Sequence, residues 1–225
     1  LMKGANVVPP DKGIFLATSW RMEPSITDMV SELFYDRKLK ANPVNAANGI
    51  EWKMPCLNAI AQPFPNKGIV FEPVTHQGCS VRSTQEIDRI EQIVDALLGG
   101  TFQHAQRDGI KSGVLTANDI LITPPYNVQV NRLQERLKEK AKVGTVDKFQ
   151  GQEAPVAIHS LTASSGEEAP RGIGFLLEPN RLNVAISRAQ CLSIVVGCPD
   201  LATGLINTVE EAEQINRLCR LMKSI

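Results

Sequence analysis

Short apolar runs alternate along the chain with longer stretches in which apolar residues recur every three or four positions. Most runs are continuous rather than strictly alternating, which is typical of strands covered on both faces. Six runs are predicted as strands: residues 14–17, 69–71, 120–123, 143–146, 156–161 and 192–196. Strands that alternate with helical patterns indicate an α/β fold, in which helices flank a mostly parallel sheet.

Five stretches carry the helical period and are predicted as helices: residues 24–34, 84–98, 127–140, 180–188 and 209–222. The second has the clearest period, because Thr84 is followed by Ile87, Ile90 and Ile93. Ser83 stands directly before it and can cap its first turn. A period of this kind predicts one face packed on the sheet and the other in solvent.

Two segments follow neither pattern. Residues 42–68 contain four prolines and two glycines, so we predict an irregular excursion with a short hairpin around residues 49–54. Residues 164–174 are polar and rich in glycine and proline, which predicts a mobile loop. The remaining pattern predicts a single domain over residues 1–225.

The composition excludes several classes of protein. Of 225 residues, 43% are hydrophobic and 21% charged, and 24 basic residues balance 24 acidic ones. This balance excludes a histone-like polycation and an acidic disordered tail, but it leaves room for a local basic groove. No apolar run approaches 18 residues, so we expect no membrane span. Five cysteines without a C-x-x-C and three scattered histidines favour reduced thiols in a cytoplasmic protein, with no metal site.

The chain contains neither a Gly-Lys nor an Asp-Glu pair. A phosphate-binding loop of the form G-x-x-x-x-G-K-[ST] is therefore absent, and so is the acidic pair that usually accompanies it. The first residue is Leu1 and no leader-like pattern follows it, so we expect a piece of a longer protein.

The most informative polar stretch lies between two predicted strands and reads T-V-D-K-F-Q-G-Q-E. Thr145 and Lys148 can each contact a phosphate. Gly151 permits close approach of a ligand to the backbone, and Gln150 and Glu153 add an amide and a carboxylate. The residues alone leave two interpretations open, a ligand-binding loop or a solvated turn.

Three arginines stand at or near the ends of predicted elements. Arg181 and Arg188 are seven residues apart, so a helix projects both from one face. Arg21 precedes the predicted helix that starts near Pro24. A guanidinium at an element end offers phosphate a permanent charge and a bidentate fork. The alternative interpretation is ordinary surface salt bridges.

A fourth polar stretch opens the helix at residue 127. Pro125, Tyr126 and Asn127 follow a predicted strand, and a helix amino terminus with polar side chains suits a phosphate or a nucleic-acid backbone. The region from Arg132 to Lys148 is also locally basic, although it can equally be a solvated helical face.

Together and in this order, the segments W-R-M-x-P, T-P-P-Y-N-x-Q, T-V-D-K-F-Q-G-Q-E and R-L-N-V-A-I-S-R-A resemble the C-terminal motor domain of Superfamily 1 helicases. The branch is the one that contains the nonsense-mediated-decay helicase and the RecB-like nuclease-helicases. Within it, the sequence most resembles bacterial nuclease-helicase fusions. The resemblance implies the second RecA-like domain, a P-loop NTPase fold without the P-loop.

The resemblance also implies roles at an ATP site. Arg188 matches the arginine finger, and Arg21 matches a second arginine aimed at the same phosphate. Glu153 matches the acid that binds the ribose, while Gln150 and Gly151 lie near the phosphates. Trp20 stands where the family usually has Tyr. ATP with Mg²⁺ is the implied cofactor, and the Mg²⁺ ligands are expected in an N-terminal RecA-like domain that this chain does not contain.

For nucleic acid, the resemblance implies that Thr145, Lys148 and the turn Pro125–Tyr126–Asn127 hold a single-strand backbone. Pro124 is an extra proline relative to the family. The implied partners are a single strand, expected to be DNA, the N-terminal RecA-like domain and a RecB-like nuclease domain, with no membrane. The alternative is a non-catalytic binding or adaptor module with this fold. A dinucleotide-binding oxidoreductase is excluded, because no G-x-G-x-x-G follows a strand.

Overall fold

The computed structural model describes residues 7–9, 11–59, 61–204 and 206–223. Ten strands occur among these residues: β1 (Thr18–Ser19), β2 (Lys40–Ala41), β3 (Gly49–Glu51), β4 (Gly68–Pro73), β5 (Thr101–Gln106), β6 (Gly109–Val114), β7 (Ile120–Thr123), β8 (Lys142–Val143), β9 (Ala154–Ser160) and β10 (Ala189–Gly197). Six α-helices accompany them: α1 (Pro24–Phe34), α2 (Thr84–Leu97), α3 (Asn127–Leu137), α4 (Ile173–Leu176), α5 (Pro179–Ile186) and α6 (Val209–Met222).

The central sheet is parallel and has five strands in the order β4-β10-β9-β7-β8. Its strands alternate between two cores. Val156 and Ile158 of β9 pack with α2 and α3 on one face, whereas Ala157 faces the cluster built by α1, α5 and α6 on the other. Burial on both faces explains why these strands read as continuous apolar runs. The predicted α/β fold of RecA-like type is confirmed.

The predicted helices agree closely with the structure. The helices α1 and α6 have the predicted bounds, and α2 begins at Thr84 with Ser83 Oγ accepting a hydrogen bond of 3.2 Å from Glu86 N–H. The third helix ends three residues earlier than predicted, because Lys138 has a left-handed φ of 52° that stops the helix. The helix predicted over residues 180–188 is α5, which begins one residue earlier and ends two residues earlier than predicted.

The strand predicted over residues 14–17 is wrong. Ile14 and Leu16 are 88% and 79% exposed, and strand pairing starts only at Thr18, beside β2. The strand predicted over residues 143–146 is β8, which ends at Val143. Three of the other predicted strands lie within β4, β7 and β10, and the strand predicted over residues 156–161 extends one residue past the end of β9.

A second, antiparallel sheet has the order β3-β5-β6. The sequence pattern did not predict the hairpin β5–β6, although Asp108-Gly109 at its turn is a common hairpin signal. The hairpin predicted around residues 49–54 is wrong, because β3 pairs with the distant β5 instead of folding back on itself. The rest of segment 42–68 holds a 3-10 helix over Pro43–Ala47 and a bridge between Leu57 and Pro63.

Residues 164–174 are anchored at several points. Ser164 and Ala169 are buried, and the segment runs into α4. Mobility of this loop stays a prediction. Among the described residues, none of the helices combines the length and the apolar character that crossing a membrane requires.

Candidate functional site

The candidate residues gather at the two opposite edges of the central sheet. Glu153 directly precedes β9 and Arg188 directly precedes β10, so both lie at amino ends of strands. The Pro125–Tyr126–Asn127 turn follows β7 and Thr145 follows β8, at carboxyl ends. Because the sheet is parallel, its amino ends share one edge and its carboxyl ends share the other. Residues 144–153 run from one edge to the other.

At the first edge, Glu153 is held from two directions. Arg21 Nε donates to Glu153 Oε2, and Gln190 Nε2 donates to Oε1 at 2.9 Å. A second nitrogen of Arg21, Nη1, donates to the Ser187 carbonyl oxygen at 3.1 Å. Two segments 132 residues apart in the sequence are thereby joined at one carboxylate.

Arg188 lies next to this pair and is 8% exposed. Its Nη1 donates to the Gln152 carbonyl oxygen at 2.9 Å, whereas Nε is buried with no hydrogen-bond partner among the described residues. Burial, and next the nearby Arg21 charge, lowers the pKa of Arg188 from its ordinary value, and Glu153 acts in the opposite direction. Two guanidiniums and one carboxylate leave a net positive charge, which suits an anionic ligand.

A cleft of about 570 Å³ opens beside Arg21 and Glu153, whereas Arg188 does not line it. One wall carries Trp20, Arg21 and Glu153, and the other is the turn of the β5–β6 hairpin with Arg107 and Asp108. Trp20 is 55% exposed, so a large aromatic face is available to a ligand here.

Two predicted residues lie close to this edge without lining the cleft. Gln150 and Gly151 are both exposed. Gly151 has a left-handed φ of 82°, and nothing lies within 4 Å of the position that a Cβ would occupy. The backbone at Gly151 is therefore open to close approach, and a side chain there would be strained.

The second edge contains a smaller pocket of about 260 Å³. It brings together Thr145 and the predicted turn Pro125–Tyr126–Asn127. Helix α3 begins here with Tyr126 as its amino-terminal cap, and this side chain makes no capping hydrogen bond. The first amide groups of α3 are therefore left for a ligand.

Further residues complete the lining of this pocket: Pro124, Val146, Asp147, His159, Arg171, Phe175, Leu176 and Arg181. Tyr126 is buried against Phe175 with their ring centroids 5.6 Å apart. Burial raises the pKa of Tyr126, and the nearby Arg171 partly offsets this.

The AAA domain family matches residues 1–200 of the chain. The chain belongs to this family. It is also homologous to Superfamily 1 helicases. The putative helicase mov-10-B.1 of Danio rerio is 33% identical over 207 residues, which cover 82% of this chain and 19% of the relative.

Two further relatives of this AAA domain are a homolog of regulator of nonsense transcripts 1 from Arabidopsis thaliana and the DNA polymerase alpha-associated DNA helicase A of Schizosaccharomyces pombe. The first is 29% identical over 223 residues, 90% of this chain and 16% of the relative. The second is 32% identical over 194 residues, 81% of this chain and 27% of the relative. The chain therefore spans less than a third of each of these curated relatives.

The AAA domain contains a buried brace at the first edge that the sequence did not reveal. Asn48 is 1% exposed and donates from Nδ2 to the carbonyl oxygens of Arg21 and Gln190, at 2.9 and 3.0 Å. Its Oδ1 accepts from Ala105 N–H at 2.7 Å. Asn45, also buried, donates to carbonyl oxygens on both sides of Arg21. Segment 42–68 thus fixes the loop that carries Arg21.

Lys148 does not line either pocket of the AAA domain. It is exposed, and its stem lies over Gly144, where an added Cβ would come within 2.6 Å of Lys148 Cδ. The neighbouring basic helix is largely neutralised, since Arg136 contacts two acids of α2 and Lys140 Nζ lies 2.8 Å from Asp95 Oδ1. For α3 the interpretation as a solvated face is therefore the better one.

Proposed function

We propose that the chain is the C-terminal, second RecA-like motor domain of an ATP-dependent Superfamily 1 DNA helicase. The observation that carries the proposal is the convergence of Arg21, Glu153 and Arg188 at one edge of the sheet, from three separate segments. A module that only bound a partner would have no physical need for two arginines near one carboxylate at this edge.

In this proposal, Arg188 acts as the arginine finger on the γ-phosphate of ATP. Phosphoryl transfer spreads charge over the phosphate oxygens, and a guanidinium that stabilises this charge raises the rate by about 10³–10⁵. The unpartnered Nε of Arg188 supports the assignment, because a buried N–H without a partner is costly and a phosphate oxygen would satisfy it.

Arg21 and Glu153 would separate when nucleotide binds. Their contact is about one-third exposed on the arginine side and 42% on the glutamate side, and an ion pair this open contributes about 1 kcal/mol or less. ATP can therefore replace it at little cost. Arg21 would turn to the phosphates, and Glu153, still held by Gln190, would accept a hydrogen bond from the ribose.

The residues present suit the ribose and phosphate ends of ATP but not Mg²⁺. No group of three or more His, Cys, Asp or Glu side chains among the described residues can hold a metal ion. We place the Mg²⁺ ligands and the phosphate-binding lysine in an N-terminal RecA-like domain, which would close the cleft from the other side. Phosphate contact by bound Mg²⁺ is the chemistry that this N-terminal domain would supply.

At the opposite edge, Thr145, Asn127 and the open amino terminus of α3 would hold the backbone of a single strand. Contacts to phosphate are largely independent of sequence and weaken with salt. Pro125 and Tyr126 would shape the turn, and Lys148, exposed nearby, would add charge at the rim.

The proposal extends to a cytoplasmic protein with a RecB-like nuclease domain that acts on DNA. The nuclease is supported by residues 4–22 and 164–189, whose sequence resembles bacterial proteins in which a nuclease precedes the helicase. Five free thiols fit a reducing compartment.

The test is Arg188→Ala in a protein that contains both motor domains. We expect strand-stimulated ATP turnover to fall at least about 10³-fold, because the transition-state charge loses its finger. The affinity for a non-hydrolysable ATP analogue should change only a few-fold. Arg132→Ala is the matched control, since Arg132 is an exposed arginine that contacts Glu135 of its own helix. Wild-type turnover in Arg188→Ala would refute the finger.

A further inference from the structure

Two arginines share one aromatic ring at the second edge of the sheet. The Arg171 and Arg181 guanidinium carbons lie 3.7 and 4.4 Å from the centroid of the Phe175 ring. Arg171 precedes α4 and Arg181 belongs to the first turn of α5. One arginine therefore comes before Phe175 in the sequence and the other after it. Attraction of each cation to the ring favours this arrangement, but the two like charges repel each other.

Neither arginine has a carboxylate partner within 4 Å among the described residues, unlike Arg89, Arg136 and Arg220. Two acids lie near them, Glu178 and Asp147, and only Asp147 lines the pocket that contains both arginines. Glu178 caps α5, where one carboxylate oxygen accepts from Arg181 N–H at 2.8 Å and the other accepts from Asn180. Two cations against one acid leave the lining with a net positive charge.

The arginine pair lies next to the residues that we propose contact a nucleic-acid single strand. Arg171, Arg181 and Phe175 line the 260 Å³ pocket that also contains Thr145 and Asn127. Both guanidinium carbons lie against the Phe175 ring, and the guanidinium N–H groups can still bind an anion. The ring therefore orients two forks beside the open amino terminus of α3.

We propose that Arg171 and Arg181, oriented by Phe175, form a second phosphate subsite for a single nucleic-acid strand, next to the contacts of Thr145 and Asn127. This inference rests on the strand-binding part of the proposed function. Phe175 is a positioning residue here, and the two arginines make the contact.

The test measures binding of a fluorescein-labelled single-stranded oligothymidylate by anisotropy, at several chloride concentrations, in the protein with both motor domains. Each lost phosphate contact should reduce the slope of log K against log salt by about 0.7. We expect that reduction for Arg171→Ala and for Arg181→Ala, and about twice as much for the double variant. Arg132→Ala should retain the wild-type slope.

Phe175 separates orientation from charge. Phe175→Leu keeps both arginines but removes the ring, so the slope should fall, whereas Phe175→Tyr should restore it. An unchanged slope in Phe175→Leu overturns the positioning role. Thermal unfolding of each variant distinguishes a lost contact from a lost fold, and Arg171→Ala, an exposed position, provides a variant that keeps the core intact.

Two further measurements distinguish a failure of the arginine subsite from a failure of the proposed function. If Thr145→Val weakens strand binding but both arginine variants bind as wild type, the subsite is wrong and the proposed function stands. If the wild-type protein binds no strand, the proposed function itself fails. Inorganic phosphate at constant ionic strength should displace the strand no better than chloride, and stronger displacement would mean that the subsite holds free phosphate instead.

Discussion

His159 combines a polar ring with a position deep in the sheet. It is 4% exposed on β9, and its Nδ1 lies 3.0 Å from Thr123 Oγ1. Burial lowers its pKa to about 4, although a hydrogen bond with the Thr123 backbone acts in the opposite direction. The ring, which lines the pocket of about 260 Å³ at the second edge, is therefore neutral at pH 7, and the positive charge of that pocket comes from its arginines.

This pKa predicts a loss of stability in mild acid. A histidine with an ordinary pKa of 6.5 and a folded-state pKa of about 4 binds more protons when unfolded between these pH values. The free energy of unfolding therefore falls as the pH drops from 6.5 towards 4, by about 2 kcal/mol at pH 5 from this group. Urea denaturation of wild type and His159→Gln at pH 7 and pH 5 measures it. An equal loss in both proteins would contradict the assignment.

At the scale of single residues, the sequence predicted end-of-strand side chains better than the residues that hold them. Arg21, Glu153 and Arg188 stand in motifs whose order and spacing are visible, and the structure brings them together. Asn48 and Gln190 have no such signal. The Asn48 amide donates to a carbonyl oxygen 142 residues away, and the Gln190 amide donates to a carboxylate 37 residues away. A side chain bonded to so distant a group leaves no periodic trace in the local sequence.

At the scale of elements, burial decided which predictions agreed with the structure. The strands of the central sheet and the capped helices carry strong apolar periods, so their positions were predicted to within a few residues. The hairpin β5–β6 was missed because β6 is almost entirely exposed and has little apolar pattern. The run at residues 14–17 is apolar, but Ile14 and Leu16 are exposed, and the backbone joins β2 only from the Ala17 carbonyl oxygen onward. Apolar character alone therefore does not specify a strand.

The buried hydrogen bonds of Asn48 in segment 42–68 predict a measurable contribution to stability. Asn48→Leu keeps the size of the side chain but leaves the Arg21 carbonyl oxygen and the Ala105 N–H without the Asn48 amide, whereas the Gln190 carbonyl oxygen still accepts from Glu23 N–H. We expect the free energy of unfolding to fall by at least about 2 kcal/mol, since each buried unsatisfied group costs about 1–3 kcal/mol. Urea denaturation measures this, with Asn66→Leu as a control at an exposed asparagine. Equal midpoints for the two variants would exclude the brace.

At the scale of the whole molecule, the parallel sheet separates the two candidate sites and one loop joins them. Thr145 lies at the carboxyl edge and Glu153 at the amino edge, with the short 3-10 helix Asp147–Phe149 between them. Phe149 is buried against Leu121 and Ala154, so this loop is anchored in its middle. In the proposed function, opening or closing of the nucleotide cleft at one edge would therefore be connected to the other edge by a short, packed segment.

The same arrangement sets what this chain can do without a second motor domain. Its arginines can stabilise charge on a phosphate, but phosphoryl transfer also needs a lysine on the phosphates and a coordinated Mg²⁺, and the chain has no Gly-Lys pair. We expect the 225-residue chain to hydrolyse ATP at the background rate, with or without a single strand, in a phosphate-release assay. The double variant Arg21→Ala/Arg188→Ala is the control for contaminating ATPases. Strand-stimulated turnover that disappears in the double variant would show that the chain is a complete motor, because only its own arginines could then account for the rate.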